Sequence, residues 1–225
     1  MASLNARAWL ALAAFGLAIA LLLFVVAGTI YYWQAWVYLA IALGASLLTT
    51  LYLMKHDPAL LERRMRGGPT AEREPRQKLI MLFASLGFIA LLVVPALDHR
   101  FGWSDVPLSL VVIGNVLTAV GFYLIYRVYR VNTFTSATIQ VAADQTVVSS
   151  GPYAIVRHPM YASASLYVIG TPLGLGSYWG LLAVAATLPF LIWRLVDEER
   201  VLARRLPGYT EYQRKVPYRL LPRIW

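Results

Sequence analysis

Four long stretches of the chain contain no charged side chain, and they predict where its helices lie. They cover residues 8–54, 79–97, 106–126 and 159–193. A helix that crosses the hydrocarbon core of a membrane needs about 20 mostly apolar residues. The first stretch is long enough for two such helices with a break near Gln34, and the second and third are long enough for one each.

The fourth uncharged stretch predicts a tight hairpin of two short helices, because Gly174, Gly176 and Ser177 interrupt it near its middle. The whole pattern therefore predicts an all-α integral membrane protein with six helices, at residues 8–31, 35–54, 79–97, 107–129, 160–176 and 179–196. The last two are short for a full crossing, so a hairpin that spans the membrane only in part stays open.

The composition supports a membrane protein and narrows its chemistry. Of the 225 residues, 59% are hydrophobic and 14% are charged, whereas a soluble domain has roughly 25% charged residues. A free soluble protein and a disordered chain are both excluded. The chain has no cysteine, which removes disulfides, thiolate metal ligands and cysteine nucleophiles. Its three histidines, His56, His99 and His158, lie far apart, so we expect no metal site.

The positive charges are distributed unevenly between the two sides of the predicted membrane. Nineteen of the 20 Lys and Arg residues fall in the loop 55–78, the segment 127–158, the tail after residue 193 or the N-terminus, and only Arg100 falls on the other side. Because Lys and Arg mark cytoplasmic loops, this pattern predicts that both termini are cytoplasmic. The excess of Lys and Arg on the cytoplasmic side of a protein in the lipid bilayer also accounts for the net charge of +9. We therefore expect no nucleic-acid partner.

Polar residues capable of chemistry concentrate in the second half of one membrane domain. We expect residues 1–126 to be mainly scaffold helices and residues 127–225 to form the working part. The densest polar stretch is 151–161, which runs into the predicted hairpin. An ordinary membrane-entry loop, with Arg157 and His158 among the lipid headgroups, is the alternative to a functional site.

Ionisable residues continue the last apolar helix without a break. Arg194 and Glu198 are four residues apart and share one helix face. Charged groups at the end of a membrane helix are costly unless they face a polar cavity. The alternative is a simple ion pair between them where the helix enters water. We expect Asp197 and Glu199 to be solvated.

Two further segments of the second half predict local structure. Residues 132–148 predict an extended loop rich in Val and Thr, and residues 209–219 predict a basic interfacial helix followed by a docked extended end. The chain contains neither a G-x-S-x-G nucleophile elbow nor a G-x-G-x-x-G dinucleotide motif. A soluble nucleotide-binding domain is therefore not expected.

The ordered motifs of the second half resemble the isoprenylcysteine carboxyl methyltransferase family, whose broad group includes phospholipid N-methyltransferases and membrane thiol methyltransferases. The resemblance covers about residues 132–222. A weaker similarity, to the first cytoplasmic loop of bacterial members, covers residues 57–64. The motifs that carry the main resemblance are Ser150-Gly151-Pro152-Tyr153, Arg157-His158-Pro159-Met160-Tyr161, Arg194 with Glu198-Glu199, and Tyr209-Thr210-Glu211-Tyr212 with Val216-Pro217.

The resemblance implies an integral membrane enzyme that uses S-adenosylmethionine without a Rossmann fold. Arg194 would be the catalytic residue that faces the methyl acceptor, and Glu198 would hold the cofactor ammonium. Ser163 stands where relatives usually have glycine, and we expect it to narrow the pocket. Thr138 stands where eukaryotic members use glutamine. The residues that would enclose the cofactor are Thr138, Gln145, Thr146, Val147, Val148, Tyr153, His158, Pro159, Met160, Tyr161 and Glu198.

The absence of a dedicated base favours a carboxylate as the methyl acceptor, and the family resemblance implies a lipophilic one, such as a prenylcysteine-like α-carboxyl. A carboxylate is ionised near neutral pH and needs no general base. Arg194 can hold it through a bidentate contact. A phospholipid amine or a small thiol stays open as acceptor, and a base would then help, with Glu199 or His158 as candidates.

Two other classes of protein stay open. Sterol-type reductases have a similar Arg-His-Pro-x-Tyr motif and use NADPH, although they are longer. A non-catalytic membrane protein that keeps the fold is the third possibility, since a fold does not determine function. The bacterial type of first loop predicts a prokaryotic inner membrane protein whose site faces the cytoplasm.

Overall fold

The computed structural model describes residues 3–67, 72, 75–139, 141–142 and 144–225. This part of the chain is all-α, as predicted. Helix α1 continues into a π-helical turn, Leu21–Val25, and a 3₁₀ turn, Gly151–Ala154, precedes α6. The helices are α1 (Leu4–Ala20), α2 (Trp33–His56), α3 (Pro58–Met65), α4 (Pro75–Phe101), α5 (Leu108–Tyr129), α6 (Pro159–Gly174), α7 (Gly180–Arg205) and α8 (Tyr209–Lys215).

Five helices among the described residues are long and apolar enough to cross a membrane: α1 with its π-helical turn, α2, α4, α5 and α7. Helix α6 has 16 residues and is too short by the same measure. The prediction that the last helix is short is wrong, because α7 has 26 residues. It continues past Trp193 through the charged segment, which keeps helical geometry since other elements cover it.

Glycines bring α5 and α6 into close contact. A Cβ atom on Gly170 would lie 2.5 Å from the carbonyl oxygen of Gly114, and one on Gly121 would lie 2.9 Å from the carbonyl oxygen of Ser163. Small residues at such positions let the backbones of two membrane helices approach each other. The contact fixes the position of α6, which carries part of the site at its first turn.

Helix α7 packs against α4 on the other side of the bundle. A Cβ atom on Gly87 would lie 2.3 Å from Oγ1 of Thr187. Phe83 and Phe190 stack with their ring centroids 4.7 Å apart. These contacts fix α7, which carries Arg194 and its neighbours.

A buried carboxylate holds the turn between α6 and α7 at one end of the bundle. Asp98, at the end of α4, accepts hydrogen bonds from the Ser104 amide at 2.7 Å, the Ser104 hydroxyl at 2.6 Å and the Ser177 hydroxyl. The hydroxyl of Tyr32, just before α2, donates to the Leu175 carbonyl at 2.6 Å. These hydrogen bonds hold the turn after α6 at this end of the bundle, although α6 has only 16 residues.

The opposite end of the bundle carries the start of α1 and the tail after α8. Arg7 of α1 lies 3.7 Å from Glu62 of α3. The tail after α8 is extended and docked, as predicted: the amide of Arg157 donates to the Tyr218 carbonyl at 2.9 Å and that of His158 to the Arg219 carbonyl at 3.0 Å. The segment 132–148 forms an irregular loop without strands among its described residues.

Candidate functional site

A cavity of about 350 Å³ lies at the polar end of the bundle, between α3–α8 and the loop 132–148. Ligand pockets in proteins have roughly this size or more. Of the predicted site residues, Pro159 alone does not line it; it is the buried first residue of α6. The predicted residues that line the cavity are Thr138, Gln145, Thr146, Val147, Val148, Tyr153, His158, Met160, Tyr161, Arg194 and Glu198.

Other lining residues were not predicted, and they divide into a polar and an apolar group. Much of the apolar group comes from α4, α5 and α7, in helices that the sequence marks only as uniformly apolar. Four of its members are Met81, Phe88, Ile125 and Leu191. The polar group includes Arg64, Asn132, Arg157, Tyr209 and Tyr212. The cavity wall therefore combines polar and apolar side chains.

Glu198 presents a carboxylate to the cavity without an ion pair among the described residues. The hydroxyl of Tyr161 donates to its Oε2 at 2.7 Å. No Lys, Arg or His of the described residues forms an ion pair with it. The simple ion pair with Arg194, the alternative given by their spacing, is therefore not found, although both residues line the same cavity.

Arg194 is buried and held on several sides. Its Nη2 lies 2.9 Å from Oε1 of Glu72 and donates to the carbonyl oxygen of Ala137 at 2.9 Å. Its Nη1 donates to Oε1 of Gln77 at 3.2 Å. Charge-assisted hydrogen bonds of this kind fix the plane of the guanidinium group. A fixed cation at the cavity wall is suited to bind an anionic group.

The expectation that Asp197 and Glu199 are solvated is wrong. Both are buried. Glu199 accepts from Nε of Arg157 at 2.6 Å and from Nε of Arg219 at 2.8 Å, and its Oε1 lies 3.2 Å from Nε2 of His158. The reason is that the tail folds back over α7, while Gln77 at the start of α4 covers Asp197 through a hydrogen bond.

Arg157 is likewise buried, which excludes the alternative of a headgroup-facing loop residue. Its Nη1 donates to the carbonyl oxygens of Val216 at 2.9 Å and Pro217 at 2.8 Å. Together with Glu199, it fastens the tail to the segment that enters α6. Because His158 is the next residue, this contact also positions one lining side chain of the cavity.

Tyrosines form the wall of the cavity near α8. Nδ2 of Asn132 donates to the hydroxyl of Tyr153 at 2.8 Å, and the hydroxyl of Tyr212 donates to the Tyr153 carbonyl at 2.8 Å. Burial raises the pKa of Tyr153, and it raises the pKa of Tyr212 to about 12 despite the nearby Arg157. The buried hydroxyl of Tyr209 has no hydrogen-bond partner among the described residues.

Ser163 and Thr138, the two departures from the family pattern, have different positions. Ser163 does not line the cavity; it is buried and its hydroxyl donates to the Pro159 carbonyl at 2.6 Å. The expected narrowing of the pocket by Ser163 is therefore not found. Thr138 does line the cavity, with its Oγ1 3.2 Å from Oγ of Ser136.

Comparison with known proteins points to membrane methyltransferases. The sequence model of the phospholipid methyltransferase family matches residues 109–207. The chain is 39% identical over 79 residues, 33% of this chain and 35% of the relative, to the cobalt-zinc-cadmium resistance protein CzcN of Cupriavidus metallidurans. It is 34% identical over 76 residues, 33% of this chain and 32% of the relative, to protein-S-isoprenylcysteine O-methyltransferase of Schizosaccharomyces pombe.

A third relative matches over a longer part of the chain. Protein-S-isoprenylcysteine O-methyltransferase B of Arabidopsis thaliana is 28% identical over 143 residues, 62% of this chain and 70% of the relative. The matches to the first two relatives span about a third of their lengths. The region 109–207 contains α5, α6 and α7, which together carry Tyr161, Arg194 and Glu198. These matches confirm the resemblance to phospholipid and isoprenylcysteine methyltransferases.

Proposed function

We propose that this protein is a membrane methyltransferase that transfers a methyl group from S-adenosylmethionine to a lipophilic carboxylate. One observation carries the proposal: Glu198 and Arg194 lie one turn apart on α7, do not form an ion pair with each other, and line one cavity together with apolar side chains. The carboxylate suits an ammonium, the guanidinium suits an acceptor anion, and the apolar side chains suit a lipid chain. The family comparisons support the same reaction class.

Two polar groups of the cavity fit the cofactor. The Glu198 carboxylate binds the amino group, and the buried Tyr209 hydroxyl is a free hydrogen-bonding group for the polar parts of the molecule. The rings of Tyr153 and Tyr161 offer aromatic faces to a sulfonium cation. When bound, S-adenosylmethionine supplies the methyl group: its bond from sulfur to the methyl carbon breaks as the acceptor oxygen bonds to that carbon, and a neutral thioether is left.

Arg194 orients the acceptor carboxylate. A guanidinium group binds a carboxylate through two parallel hydrogen bonds, so the contact determines direction as well as position. Methyl transfer between two bound groups depends mainly on such positioning. A carboxylate is already ionised near neutral pH, and no residue has to remove a proton.

The apolar lining side chains bind the lipophilic part of the acceptor. Met81, Phe88, Ile125 and Leu191 belong to helices that are long and apolar enough to cross a membrane, which supports a position near the lipid chains. Burial of an acyl or prenyl chain against such side chains contributes about 0.8 kcal/mol for each methylene group. The acceptor is therefore expected to bind from the bilayer rather than from water.

The polar end of the bundle faces the cytoplasm of a prokaryotic cell, in the inner membrane. Nineteen of 20 Lys and Arg residues are expected on this side, and cytoplasmic loops carry such an excess. The start of α1 and the tail after α8 lie at this end of the bundle. A water-soluble cofactor then enters from the same side.

The chemical stability of the transferred methyl group tests the acceptor class. Membranes that contain the protein are incubated with S-adenosylmethionine carrying a labelled methyl group, and the lipid extract is treated with base. A methyl ester releases its label as volatile methanol, whereas N-methyl and S-methyl products keep it. We expect base-labile label that is absent with Glu198→Gln. Base-stable label would contradict the carboxylate and favour a phospholipid amine or thiol, for which the His158–Glu199 pair is the candidate base.

A further inference from the structure

The segment 57–64, which resembles the first loop of bacterial relatives, forms a clamp on the cavity wall. Asp57 caps α3 by accepting from the Leu60 amide at 2.9 Å, and it also accepts from the Thr133 hydroxyl. Arg63 donates to the Thr133 carbonyl, and Nη1 of Arg64 donates to the Ser136 carbonyl at 2.9 Å. Helix α3 therefore holds the loop that covers one side of the cavity.

The two arginines of this clamp differ in one respect that matters for binding. Arg64 lines the cavity, with its guanidinium carbon 5.4 Å from the ring centroid of Tyr129, whereas Arg63 is not a lining residue. Arg64 also forms no ion pair with any carboxylate of the described residues. Its charge is therefore open to a ligand.

Arg64 and Arg194 bind consecutive carbonyl groups of the same loop. Arg64, from α3, binds the carbonyl of Ser136, and Arg194, from α7, binds that of Ala137. Because consecutive residues are about 3.8 Å apart along a chain, both guanidinium groups lie at the same part of the wall. Glu72 compensates the charge of Arg194 alone.

The charges that line the cavity then fall into two sets. Arg157 is paired with Glu199 and Arg194 with Glu72. Glu198 and Arg64 are the unpaired carboxylate and the unpaired guanidinium among the described lining residues. Glu198 suits an ammonium, so Arg64 is left to bind an anion. The carbonyl group that Arg64 binds directly precedes the one that Arg194 binds, and Arg194 is the residue to which we assign the acceptor.

We propose that Arg64 is a second acceptor-binding residue, and that with Arg194 it selects acceptors that carry a carboxylate at the methylated end. This inference rests on the proposed function and deepens it by naming the charge that the site recognises. Methylation removes that charge, so the ester product loses its attraction to both guanidinium groups. The site therefore has a lower affinity for the ester product than for the acid substrate, which favours release of the product.

Matched variants separate the charge of Arg64 from its support of the loop. Arg64→Gln removes the charge but keeps an N–H donor for the Ser136 carbonyl. Arg63→Gln is the control, because Arg63 supports the same loop from the same helix without lining the cavity. If Arg64 has only a structural role, the two variants behave alike.

The experiment is calorimetry of the full chain in detergent, first with S-adenosylhomocysteine and then with two acceptor probes at saturating S-adenosylhomocysteine. The probes are N-acetyl-S-farnesylcysteine and its methyl ester, which differ in the carboxylate. We expect wild type to bind the acid at least about tenfold more tightly than the ester, as charge-assisted hydrogen bonds allow. In Arg64→Gln the affinity for the acid falls, so most of this preference is lost. The affinities for the ester and for S-adenosylhomocysteine stay unchanged. Arg63→Gln binds as wild type does.

Several outcomes would overturn the inference. Undiminished acid binding by Arg64→Gln excludes the residue from the acceptor site. A loss of S-adenosylhomocysteine affinity assigns Arg64 to the cofactor carboxylate, and equal losses in both variants assign it to loop support. Wild type that binds S-adenosylhomocysteine but neither probe refutes the acceptor class while the methyltransferase proposal stands. Absence of S-adenosylhomocysteine binding in wild type is instead a failure of the proposed function itself.

Discussion

Nε of Arg157 lies 2.6 Å from Oε1 of Glu199, and both side chains are buried. The pair joins the segment that enters α6 to the last turns of α7. Arg219 of the tail and His158 of the cavity contact the same carboxylate. Glu199 thus connects three parts of the chain that meet beside the cavity.

The first prediction concerns this carboxylate. Removing one partner of a buried ion pair destabilises a protein by about 3–5 kcal/mol, because the other charge stays buried without compensation. We therefore expect Glu199→Gln to lower the thermal unfolding midpoint in detergent, measured by tryptophan fluorescence, and to weaken cofactor binding. Glu211→Gln is the control, since Glu211 is exposed on α8. Equal midpoints for the two variants would show that the network does not hold the tail.

The second prediction concerns the contact between α5 and α6. Gly170→Ala places a Cβ atom 2.5 Å from the Gly114 carbonyl oxygen, whereas Gly44→Ala meets no atom within 4 Å. Overpacking typically costs about 1–3 kcal/mol, so Gly170→Ala should lower the unfolding midpoint and Gly44→Ala should not. Thermal unfolding of both variants in one detergent provides the measurement. A Gly170→Ala protein as stable as Gly44→Ala would mean that these backbones are farther apart.

The third prediction separates acceptor binding from cofactor binding. Arg194→Lys keeps the positive charge that Glu72 compensates but lacks the planar fork that orients a carboxylate. We expect unchanged affinity for S-adenosylhomocysteine and at least about tenfold less methyl transfer, because positioning provides most of the catalysis. Transfer rates and calorimetry on the same preparation provide the two measurements. Full transfer by Arg194→Lys would remove Arg194 from the acceptor site.

The fourth prediction follows from the pKa of Tyr212 on α8. Burial raises this pKa from its ordinary value of 10.0 to about 12. The phenol is neutral in both states below pH 10, and its stabilising effect is lost as pH rises from 10 to 12, because the unfolded chain ionises first. Tyr212→Phe should therefore be less stable than wild type near pH 8, where the hydrogen bond to Tyr153 counts, and this difference should shrink by pH 12. A difference independent of pH would contradict the shift.

The positions of most helices follow from the sequence alone. The uncharged stretches predict helices close to α1, α2, α4, α5 and α6, because the absence of charge is a local property that membrane burial requires. The length of α7 does not follow in this way. Its charged last turns look like a helix end in water, but the tail and the start of α4 cover them.

The candidate site likewise contains residues that the sequence predicts and residues that it does not. The site residues that the family resemblance implies line the cavity except Pro159. Met81 was missed because nothing local distinguishes it from other apolar helix residues. Arg64 was missed as a site residue although it belongs to the segment 57–64, whose weaker similarity to bacterial relatives implied no role in the site. Partners distant in sequence also decide the burial of Glu199, whose contact Arg157 is 42 residues away.

The central claim is that Glu198 holds S-adenosylmethionine through its ammonium, and calorimetry with S-adenosylhomocysteine tests it most directly, since this compound keeps the amino group. We predict saturable binding to wild type, at least about tenfold weaker binding to Glu198→Gln, and unchanged binding to Glu62→Gln, whose carboxylate lies outside the cavity. No binding in a wild-type sample that unfolds cooperatively would contradict the account. Saturable binding of NADPH by that sample would favour a reductase.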